Sequence, residues 1–269
     1  MIEGHLQISF SPILIDIKEK TTGLCINHLL CTYNHSYRGG FMLTNADYLI
    51  ASHSGLLALE SNFDLNPLLA EAGIHSYANH ERVYQPGDKA DSIYVVTDGC
   101  VQIYRRNEDG RRAVLTISTT GDAFGISDIL GNSRRKDTAE VIRHCRIMKI
   151  PAAPFMELLK STPEMAIAVA RYLSRSEQDV TDRLEQIQLK PTTERLASFL
   201  LQLAPGNARS TDIVLPCEKS VIASYLGMKP ESFSRSLKEL KTYGVSNRGR
   251  RVHIEDREAL SSMGHALPA

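Results

Sequence analysis

Glycines recur at intervals of 10 to 12 residues between positions 87 and 131, and this spacing restricts the fold of that stretch more than any other feature of the chain. Setting Gly125 aside, they are Gly87, Gly99, Gly110, Gly121 and Gly131. The intervening segments, SIYVVT, CVQIYRR and AVLTIS, are rich in β-branched and aromatic residues, and Asp109-Gly110 is a strong hairpin signal. Short strands at this spacing predict a β-sandwich or β-roll.

A helical pattern replaces the strands at Ser161-Thr162-Pro163-Glu164, which is typical of a helix start with Ser or Thr as cap. Apolar residues then follow a 4-3-4-3 heptad seam with one polar member, Glu177. Such a seam favours pairing with a second copy, because its charged flanks disfavour the alternative of packing on its own β-domain. The predicted dimerisation residues are Ala166, Ala170, Leu173, Val180, Leu184 and Ile187.

The C-terminal third reads as a DNA-binding module. Lys190-Pro191 predicts a hinge, Thr192 or Thr193 can cap the amphipathic segment TERLASFLLQLA, and the polar stretch NARSTD predicts a linker. The segments EKSVIASYLGM and PESFSRSLKELKTYG, joined by a short turn at 227–229, are typical of a helix-turn-helix. VSNRGRRVHIED then predicts two strands around a glycine turn. Together these segments predict a winged helix.

Charge distribution agrees with this division. The whole chain balances 31 Lys and Arg against 31 Asp and Glu, but residues 190–269 hold 12 basic and 8 acidic side chains. A basic module on an otherwise acidic chain is typical of nucleic-acid binding. A surplus of this size is also common on ordinary solvated surfaces, so the charge alone leaves both interpretations open.

The second helix of the motif has two faces. Positions 231, 234, 235 and 238 share one side, and Phe233, Leu237 and Leu240 form the opposite, core-facing stripe. Arg235 can contact guanine and Glu231 can accept from cytosine, each pair being worth about 1–3 kcal/mol of discrimination. The alternative is an i, i+4 ion pair between them, worth about 0.3–0.5 kcal/mol. The predicted DNA-binding residues are Glu231, Ser232, Ser234, Arg235, Lys238, Lys219, Ser220, Lys229, Arg248, Arg250 and Arg251.

Several classes of protein are disfavoured. No window offers the roughly 18 to 20 apolar residues of a membrane span, and the N-terminus lacks a secretory signal, so we expect a cytoplasmic protein. Its thiols should then stay reduced, without disulfides. We find no nucleophile elbow, zinc-spaced His/Cys set or phosphate loop and expect no enzymatic activity. The cysteines are Cys25, Cys31, Cys100, Cys145 and Cys217.

We therefore predict an α+β protein in four parts: a poorly ordered N-terminal extension (1–45), a β-roll sensor domain (46–160), a dimerisation helix (161–189) and a winged helix-turn-helix domain (190–269). Met42 is an alternative start, which gives a chain of 228 residues.

From about Tyr77 to Met263 the sequence resembles the Crp/Fnr family, which includes the cyclic-AMP receptor protein and the fumarate-nitrate reduction regulator. The resemblance rests on QPGDKADSIYVVTDGCVQIYRR, GRRAVLTISTTGDAFG, the long helix, ERLASFLLQLA, and the E-x-x-S-R pattern at Glu231, Ser234 and Arg235. Within the family, GMKPESFSRSLKELKTYGV is most similar to the denitrification regulators that respond to nitric oxide.

The resemblance implies a homodimeric transcription regulator that binds a palindrome on double-stranded DNA, with RNA polymerase as a further partner. Pro230 precedes Glu231 where the cyclic-AMP receptor has arginine, which favours a TTGA-type half-site as in the Fnr branch. We expect an effector to alter the packing of the seam helices and so rotate the DNA domains into register. Activator and repressor roles both stay open. The alternative is a β-roll regulatory protein that controls a protein partner without touching DNA.

The resemblance also implies an effector pocket at Gly121, Phe124, Gly125, Ile126, Arg135 and Thr138. Cyclic AMP is disfavoured, because Ile126 replaces the ribose-binding Glu and Asp137 stands where an Arg neutralises the phosphate, although Arg134 and Arg135 are close by. The effector itself is not identified by any motif.

An iron-sulfur cluster is disfavoured as well, since Cys25 and Cys31 are only two N-terminal thiols and Met148 occupies the fourth-ligand position, three residues after Cys145. We interpret Cys100 and Cys145 as small hydrophobes. Haem stays possible by family analogy alone, and no motif selects its axial ligand. The candidates are His75, His80, His144, His28 and His35.

Overall fold

The computed structural model describes residues 44–52, 54, 56, 65–131, 134–204, 206 and 208–263. Most of the predicted extension 1–45 lies outside these residues, as do the alternative start and four of the candidate ligands, Cys25, His28, Cys31 and His35. Within the described residues, no helix is both long and apolar enough to cross a bilayer.

The sensor half is built on a six-stranded antiparallel sheet in which β6 pairs with β1, β2 and β3, and β3 pairs with β4 and β5. The predicted Asp109-Gly110 turn joins β3 to β4, with Gly110 at φ 76°. Gly99 lies at an irregularity between β3 and β6, where a Cβ would stand 2.7 Å from the His144 carbonyl, so only glycine fits. The strands are β1 (Gly73–Tyr77), β2 (Arg82–Tyr84), β3 (Ser92–Arg106), β4 (Arg112–Thr119), β5 (Ala123–Phe124) and β6 (Thr138–Pro151).

Helices cover the first core of this sheet, in which Ile93, Met148, Phe155 and Met165 are fully buried. Apolar side chains of the sheet and of the flanking helices are removed from water in this core, and their burial holds the helices against the sheet. The helices are α1 (Asn45–Ser52), α2 (Asn66–Ala70), α3 (Ile126–Gly131) and α4 (Ala152–Ser161).

The predicted long helix is present as α5 (Pro163–Leu189). Thr162 stands at its N-cap but makes no side-chain capping bond. Only the first turns of α5 are buried against the sensor, through Met165, Ala168 and Val169. The helix therefore leaves the sensor surface after about three turns and continues towards the C-terminal domain.

The C-terminal domain matches the predicted winged helix, with one correction. Residues 211–214, partly inside the predicted linker, form a third strand that pairs with the wing, because Ile213 fits into the core beside Val252. These results confirm the predicted α+β fold class. The elements are α6 (Thr192–Leu203), β7 (Thr211–Val214), α7 (Lys219–Tyr225), α8 (Pro230–Glu239), a 3-10 turn (Leu240–Tyr243), β8 (Val245–Arg248), β9 (Arg251–Ile254) and α9 (Arg257–Ser262).

Candidate functional site

Helix α8 presents the polar face that the sequence predicts. Its stripe of Phe233, Leu237 and Leu240 is buried in the C-terminal core, at 0, 4 and 0% exposure. This burial orients the opposite side of the helix towards solvent. The predicted contact residues on that side are exposed, apart from the partly buried Ser232: Glu231, Ser232, Ser234, Arg235 and Lys238.

A buried hydroxyl network fixes α8 against α6. Thr193 Oγ1 donates to the Glu239 carboxylate at 2.7 Å and lies 3.1 Å from Ser236 Oγ, which also contacts Thr192 Oγ1 at 3.2 Å. The sequence predicted that Thr192 or Thr193 caps α6. Neither does, because Pro191 holds the N-cap position and the two hydroxyls face α8. Buried hydroxyls with partners fix geometry, since leaving them unpaired costs free energy.

The guanidinium of Arg235 is not engaged by Glu231. Arg235 Nη2 instead donates to Ser232 Oγ at 3.4 Å, and no ion pair joins Arg235 to a carboxylate among the residues that the structure describes. Ser234 Oγ donates to the Pro230 carbonyl at 3.0 Å. Glu231 and Arg235 therefore do not form the ion pair that was one of the two interpretations left open by the sequence. The Arg235 guanidinium remains accessible to a bidentate acceptor such as guanine.

The candidate phosphate contacts surround α8 on the turn, on the adjoining helix and on the wing. Lys229, Ser220, Arg248 and Arg251 are exposed, and Lys219 is half-buried. Arg250 differs, since its Nε donates to the Leu215 carbonyl at 2.9 Å and thereby fastens the wing to the domain. Its guanidinium is thus partly committed to the fold, which corrects the prediction of a free phosphate contact.

Most of the predicted seam of α5 is exposed in the single chain. Val180 and Leu184 are 50% and 54% exposed, although both are apolar. The residues of α5 that are buried against the sensor, Met165, Ala168 and Val169, belong to a different stripe of the helix. Leu173 is the partial exception and lies against the sensor core. The seam members classed as exposed are Ala166, Ala170, Val180, Leu184 and Ile187.

Three contacts join the end of α5 to both domains. Arg183 Nη1 donates to the Leu115 carbonyl of β4, and its guanidinium lies 4.5 Å from the ring centroid of Tyr225 on α7. Arg195 of α6 donates to the Ile187 carbonyl at 3.3 Å. Arg183 therefore touches the sensor, the long helix and the DNA-binding motif at once.

The turn of the motif also rests on α5. A Cβ at Gly227 would lie 3.3 Å from Ile187 Cδ1, so the seam residue Ile187 packs against the turn as well. Sequence reasoning missed the roles of Arg183, Arg195 and Thr193. Their positions are internal to helical patterns, and only the tertiary contacts distinguish them; a buried charge at Arg195, 7% exposed, has no signature in the sequence.

The described cysteines are buried thiols, which confirms the interpretation of Cys100 and Cys145 as small hydrophobes. Cys217, just before α7, is in hydrogen-bonding contact with Cys100 of β3, and this contact together with burial raises the pKa of the Cys100 thiol. A protonated, buried thiol is chemically inert. The pair therefore serves as apolar packing between the sensor and the DNA-binding domain.

The predicted effector pocket is filled by the chain itself. The side chain of Arg135 is fully buried; Nη1 donates to the Gly125 carbonyl at 2.7 Å and Nη2 donates to the Ser92 carbonyl. Its guanidinium lies over the Tyr84 and Tyr94 rings, 4.4 and 5.4 Å from their centroids. A buried cation stacked on two rings and bonded to two carbonyls fills the space as a ligand would.

Gly125 is required for this arrangement, because a Cβ there would lie 2.7 Å from Arg135 Nη1 and the backbone has φ 82°. Phe124 stacks on Tyr94 beside the guanidinium, but Ile126 is buried in the other sensor core. Thr138 opposes Tyr104 at the far end of β3. The six predicted residues, including the turn residue Gly121, therefore lie in different parts of the sensor, and the effector pocket stays a prediction.

Asp137 does not act as the isolated carboxylate that the sequence suggested. Its Oδ1 accepts from Arg105 Nε, so its charge is balanced by a cation of the neighbouring strand. The repulsion of a phosphate by Asp137 is therefore reduced, while the missing phosphate-binding Arg keeps the argument against cyclic AMP a prediction.

The described candidate haem ligands lie away from the aromatic pocket. His80 and His144 are exposed, and His75 lies beside Tyr77 on β1, where burial and Lys149 lower its pKa. Within the part of the chain that the structure describes, no group of three His, Cys, Asp or Glu side chains is placed to hold a metal ion.

Comparisons with known proteins agree with this architecture. Residues 74–162 match the cyclic nucleotide-binding domain family, and residues 194–263 match the Crp-like helix-turn-helix domain family. The nitrogen fixation regulation protein FixK of Azorhizobium caulinodans is 30% identical over 191 residues, which cover 68% of this chain and 76% of the relative. The fumarate and nitrate reduction regulatory protein of Salmonella typhi is 25% identical over 191 residues, 69% of this chain and 76% of the relative.

Among solved structures, FixK2 from Bradyrhizobium japonicum is 25% identical and superposes with a TM-score of 0.65, covering 74% of this chain and 99% of that one. Both domain types, their order and the identity over more than two thirds of the FixK relative place the chain in one family. It belongs to the Crp/Fnr family of DNA-binding transcription regulators.

Proposed function

We propose that the protein acts as a homodimer that binds a palindromic operator through two copies of α8, answers to an effector held by the sensor domain, and acts on RNA polymerase at its target promoters. One observation carries the proposal: the polar face of α8 and most of the apolar seam of α5 are both exposed in the single chain. An apolar seam on a long helix is stabilised by a partner helix of the same kind. Two-fold symmetry then gives two recognition helices.

The operator follows from this geometry. Two helices related by a two-fold axis reach successive major grooves, so the half-sites lie about 34 Å apart. Arg235 supplies the bidentate donor for a guanine, and Glu231 supplies an acceptor for a cytosine amine. With Pro230 before Glu231, we propose a TTGA-type half-site.

Control passes through the end of α5. Because Arg183 contacts β4 and α7 together, a shift of β4 changes the position of the recognition motif directly. The packing of Ile187 on the turn couples the dimer seam to the same motif. An effector that alters either contact biases the orientation of the DNA domains, which is the differential interaction that allosteric control requires.

The response to nitric oxide stays a prediction and forms no part of the proposal, because no motif selects an axial ligand among the histidines. The sequence-based argument against cyclic AMP stays a prediction too. The alternative of a β-roll protein that acts without DNA has no support in the fold, since the recognition face is exposed and the chain belongs to a DNA-binding family.

Fluorescence anisotropy with a labelled TTGA palindrome tests the proposal. Wild-type protein should bind with an affinity that falls steeply as salt rises, because phosphate contacts release counterions. Arg235→Ala should weaken specific binding by about 1–3 kcal/mol, roughly 5- to 150-fold, and reduce discrimination against a mutated half-site. Arg143→Ala, which removes an exposed charge from the sensor sheet, is the control.

Equal binding of Arg235→Ala and wild type to the palindrome would remove the recognition role of α8. A complex of one chain per palindrome, measured by analytical ultracentrifugation, would contradict the proposed homodimer.

A further inference from the structure

The β3–β4 hairpin carries two adjoining surface grooves that share Arg105 and Arg106. Their volumes are about 260 and 430 Å³, within or near the range of small-molecule sites. No carboxylate is among the residues that line them. The cationic side chains along the two grooves are Arg82, Arg105, Arg106, Arg111, Arg112 and Lys136.

A buried polar floor orders these arginines. Tyr104, with no exposed surface, donates to Glu140 Oε2 at 2.8 Å, and Gln102 donates to Oε1 at 3.0 Å. Arg112 binds the same carboxylate at 3.1 Å, and Arg106 donates to the Tyr104 hydroxyl at 3.3 Å. Both guanidinium groups lie over the Tyr104 ring, 4.7 and 5.5 Å from its centroid. The network therefore presents the two cations in a fixed arrangement.

The grooves carry more positive charge than the neighbouring carboxylates balance. Arg106 and Arg112 are direct partners across the two strands, and like charges in that register destabilise a sheet. Arg105 and Arg112 have carboxylate partners in Asp137 and Glu140. Among the described residues, the other four cations of the grooves form no ion pair with a carboxylate: Arg82, Arg106, Arg111 and Lys136.

We propose that these grooves bind a small molecule carrying a chain of phosphate groups, of the class of a nucleoside triphosphate or inorganic polyphosphate. Four uncompensated cations match a ligand of three to four negative charges, and arginine forks bind phosphate oxygens in pairs. A single phosphodiester would leave most of these charges unpaired. Pro86 lines the wider groove and offers an apolar surface for a base.

The position of the grooves links them to control, a step that rests on the proposed function. Arg112 begins β4, and Leu115 of the same strand accepts from Arg183, which lies on Tyr225 of the DNA-binding motif. Arg112 and Leu115 are three steps apart along the strand, about 10 Å. A phosphate chain that draws Arg106 and Arg112 together moves the start of β4 and reaches α7 through one side chain.

Isothermal titration calorimetry on the full chain, at about 0.1 M salt, tests binding with ATP, inorganic tripolyphosphate and cyclic AMP as probes. We expect ATP or tripolyphosphate to bind with a Kd at or below about 100 μM, and cyclic AMP at least tenfold more weakly. The variant Arg106→Gln/Arg111→Gln should lose at least tenfold in affinity. Arg143→Gln/Lys241→Gln removes the same charge from exposed positions outside the grooves and should bind as wild type.

The two probes separate the sources of phosphate. Equal affinity for ATP and tripolyphosphate means that the phosphate chain alone is recognised, and tighter ATP binding means that the base contributes; both support the site. The site is overturned if neither probe binds, or if the groove variant binds the probes as tightly as its control does. It is also overturned if the groove variant loses affinity for a non-operator DNA duplex but not for the two probes.

Operator affinity, measured by anisotropy with and without ATP, tests the link to control separately. An ATP effect of at least threefold that Arg106→Gln/Arg111→Gln abolishes supports it. Calorimetric binding with unchanged operator affinity keeps the site and overturns its regulatory role. If the protein binds its operator but calorimetry detects no binding of ATP or tripolyphosphate, the proposed function stands and the phosphate site is overturned.

Discussion

The two halves of α5 differ in what covers them. The first half is buried on the sensor through Met165, Ala168 and Val169, while the second half leaves Val180 and Leu184 about half exposed. Both halves belong to one uninterrupted helix with apolar side chains. The difference teaches that apolar packing on the sensor stabilises the first half, whereas Val180 and Leu184 of the second half gain burial only if a second chain covers them.

The largest test of this comparison is Leu184→Glu. In the proposed dimer the substitution places two carboxylates in the seam and removes two buried leucines, each worth about 1.5–3 kcal/mol. We expect the dimer to dissociate at least a hundredfold more readily in analytical ultracentrifugation, without loss of the folded monomer by circular dichroism.

Ile167→Glu is the matched control, because Ile167 is also 54% exposed on the same helix but lies off the predicted seam. Equal dissociation of the two variants would mean that exposure alone, and not the heptad register, decides which side chains meet the partner.

Met165→Ala tests the other half. Met165 has no exposed surface and lies in the sensor core beside Phe155, so its truncation should cost about 2–5 kcal/mol of the free energy of unfolding. Urea denaturation followed by tyrosine fluorescence measures this loss. The dimer dissociation constant, measured below the unfolding transition, should change less than threefold; a larger change would mean that the two halves of α5 are not independent.

Arg183→Met sharpens the comparison where the second half meets the DNA-binding domain. The variant removes the bond to the Leu115 carbonyl and the stacking on Tyr225 while keeping most of the side-chain volume. We expect the backbone amides of α7 and of the adjoining part of β4 to exchange hydrogen faster. The change corresponds to a loss of about 1–2 kcal/mol in the free energy of local opening. Arg175→Met, on an exposed turn of the same helix, should leave that exchange unchanged.

The difference between the halves also shows what the sequence could predict. The heptad spacing identified the exposed seam, because a helical period places Val180 and Leu184 on one side whatever surrounds them. It could not identify Leu173 as partly covered by the sensor, since that depends on where α5 leaves the sheet. The register of α8 was predictable for the same reason as the seam, with Phe233 and Leu237 setting the buried face.

Side chains whose partners come from distant parts of the sequence were harder to predict. Arg135 fills the predicted effector pocket because β2, β3 and β5 bring Tyr84, Tyr94 and Phe124 around it, a tertiary arrangement with no local signature. The arginine grooves do have a signature in the sequence. Arg105-Arg106 and Arg111-Arg112 flank the predicted Asp109-Gly110 turn, and a hairpin places such pairs side by side.

The smallest expected effect concerns Tyr172, a polar contact of the first half of α5 with the sensor. Its hydroxyl donates to the Ala123 carbonyl at 2.9 Å, and Ala123 precedes Phe124 of the aromatic pocket. Tyr172→Phe keeps the ring and removes this bond, so we expect a loss of about 1 kcal/mol in the free energy of unfolding at neutral pH. Seam association and operator binding should stay at wild-type values.

The pH dependence of this difference gives a second readout. Burial, with Asp122 and Asp179 nearby, raises the pKa of Tyr172 to about 12 from an ordinary value of 10.0. Because the folded state holds the phenol proton more tightly, the stabilisation by Tyr172 is complete below pH 10.0 and declines as the pH rises towards 12, where the unfolded phenol is already ionised. Phenylalanine has no proton to lose, so the free-energy difference between wild type and Tyr172→Phe should shrink over that interval and stay constant below it. A difference that is independent of pH from 8 to 12 would mean that this hydroxyl is solvated, and that the first half of α5 is fastened to the sensor by apolar packing alone.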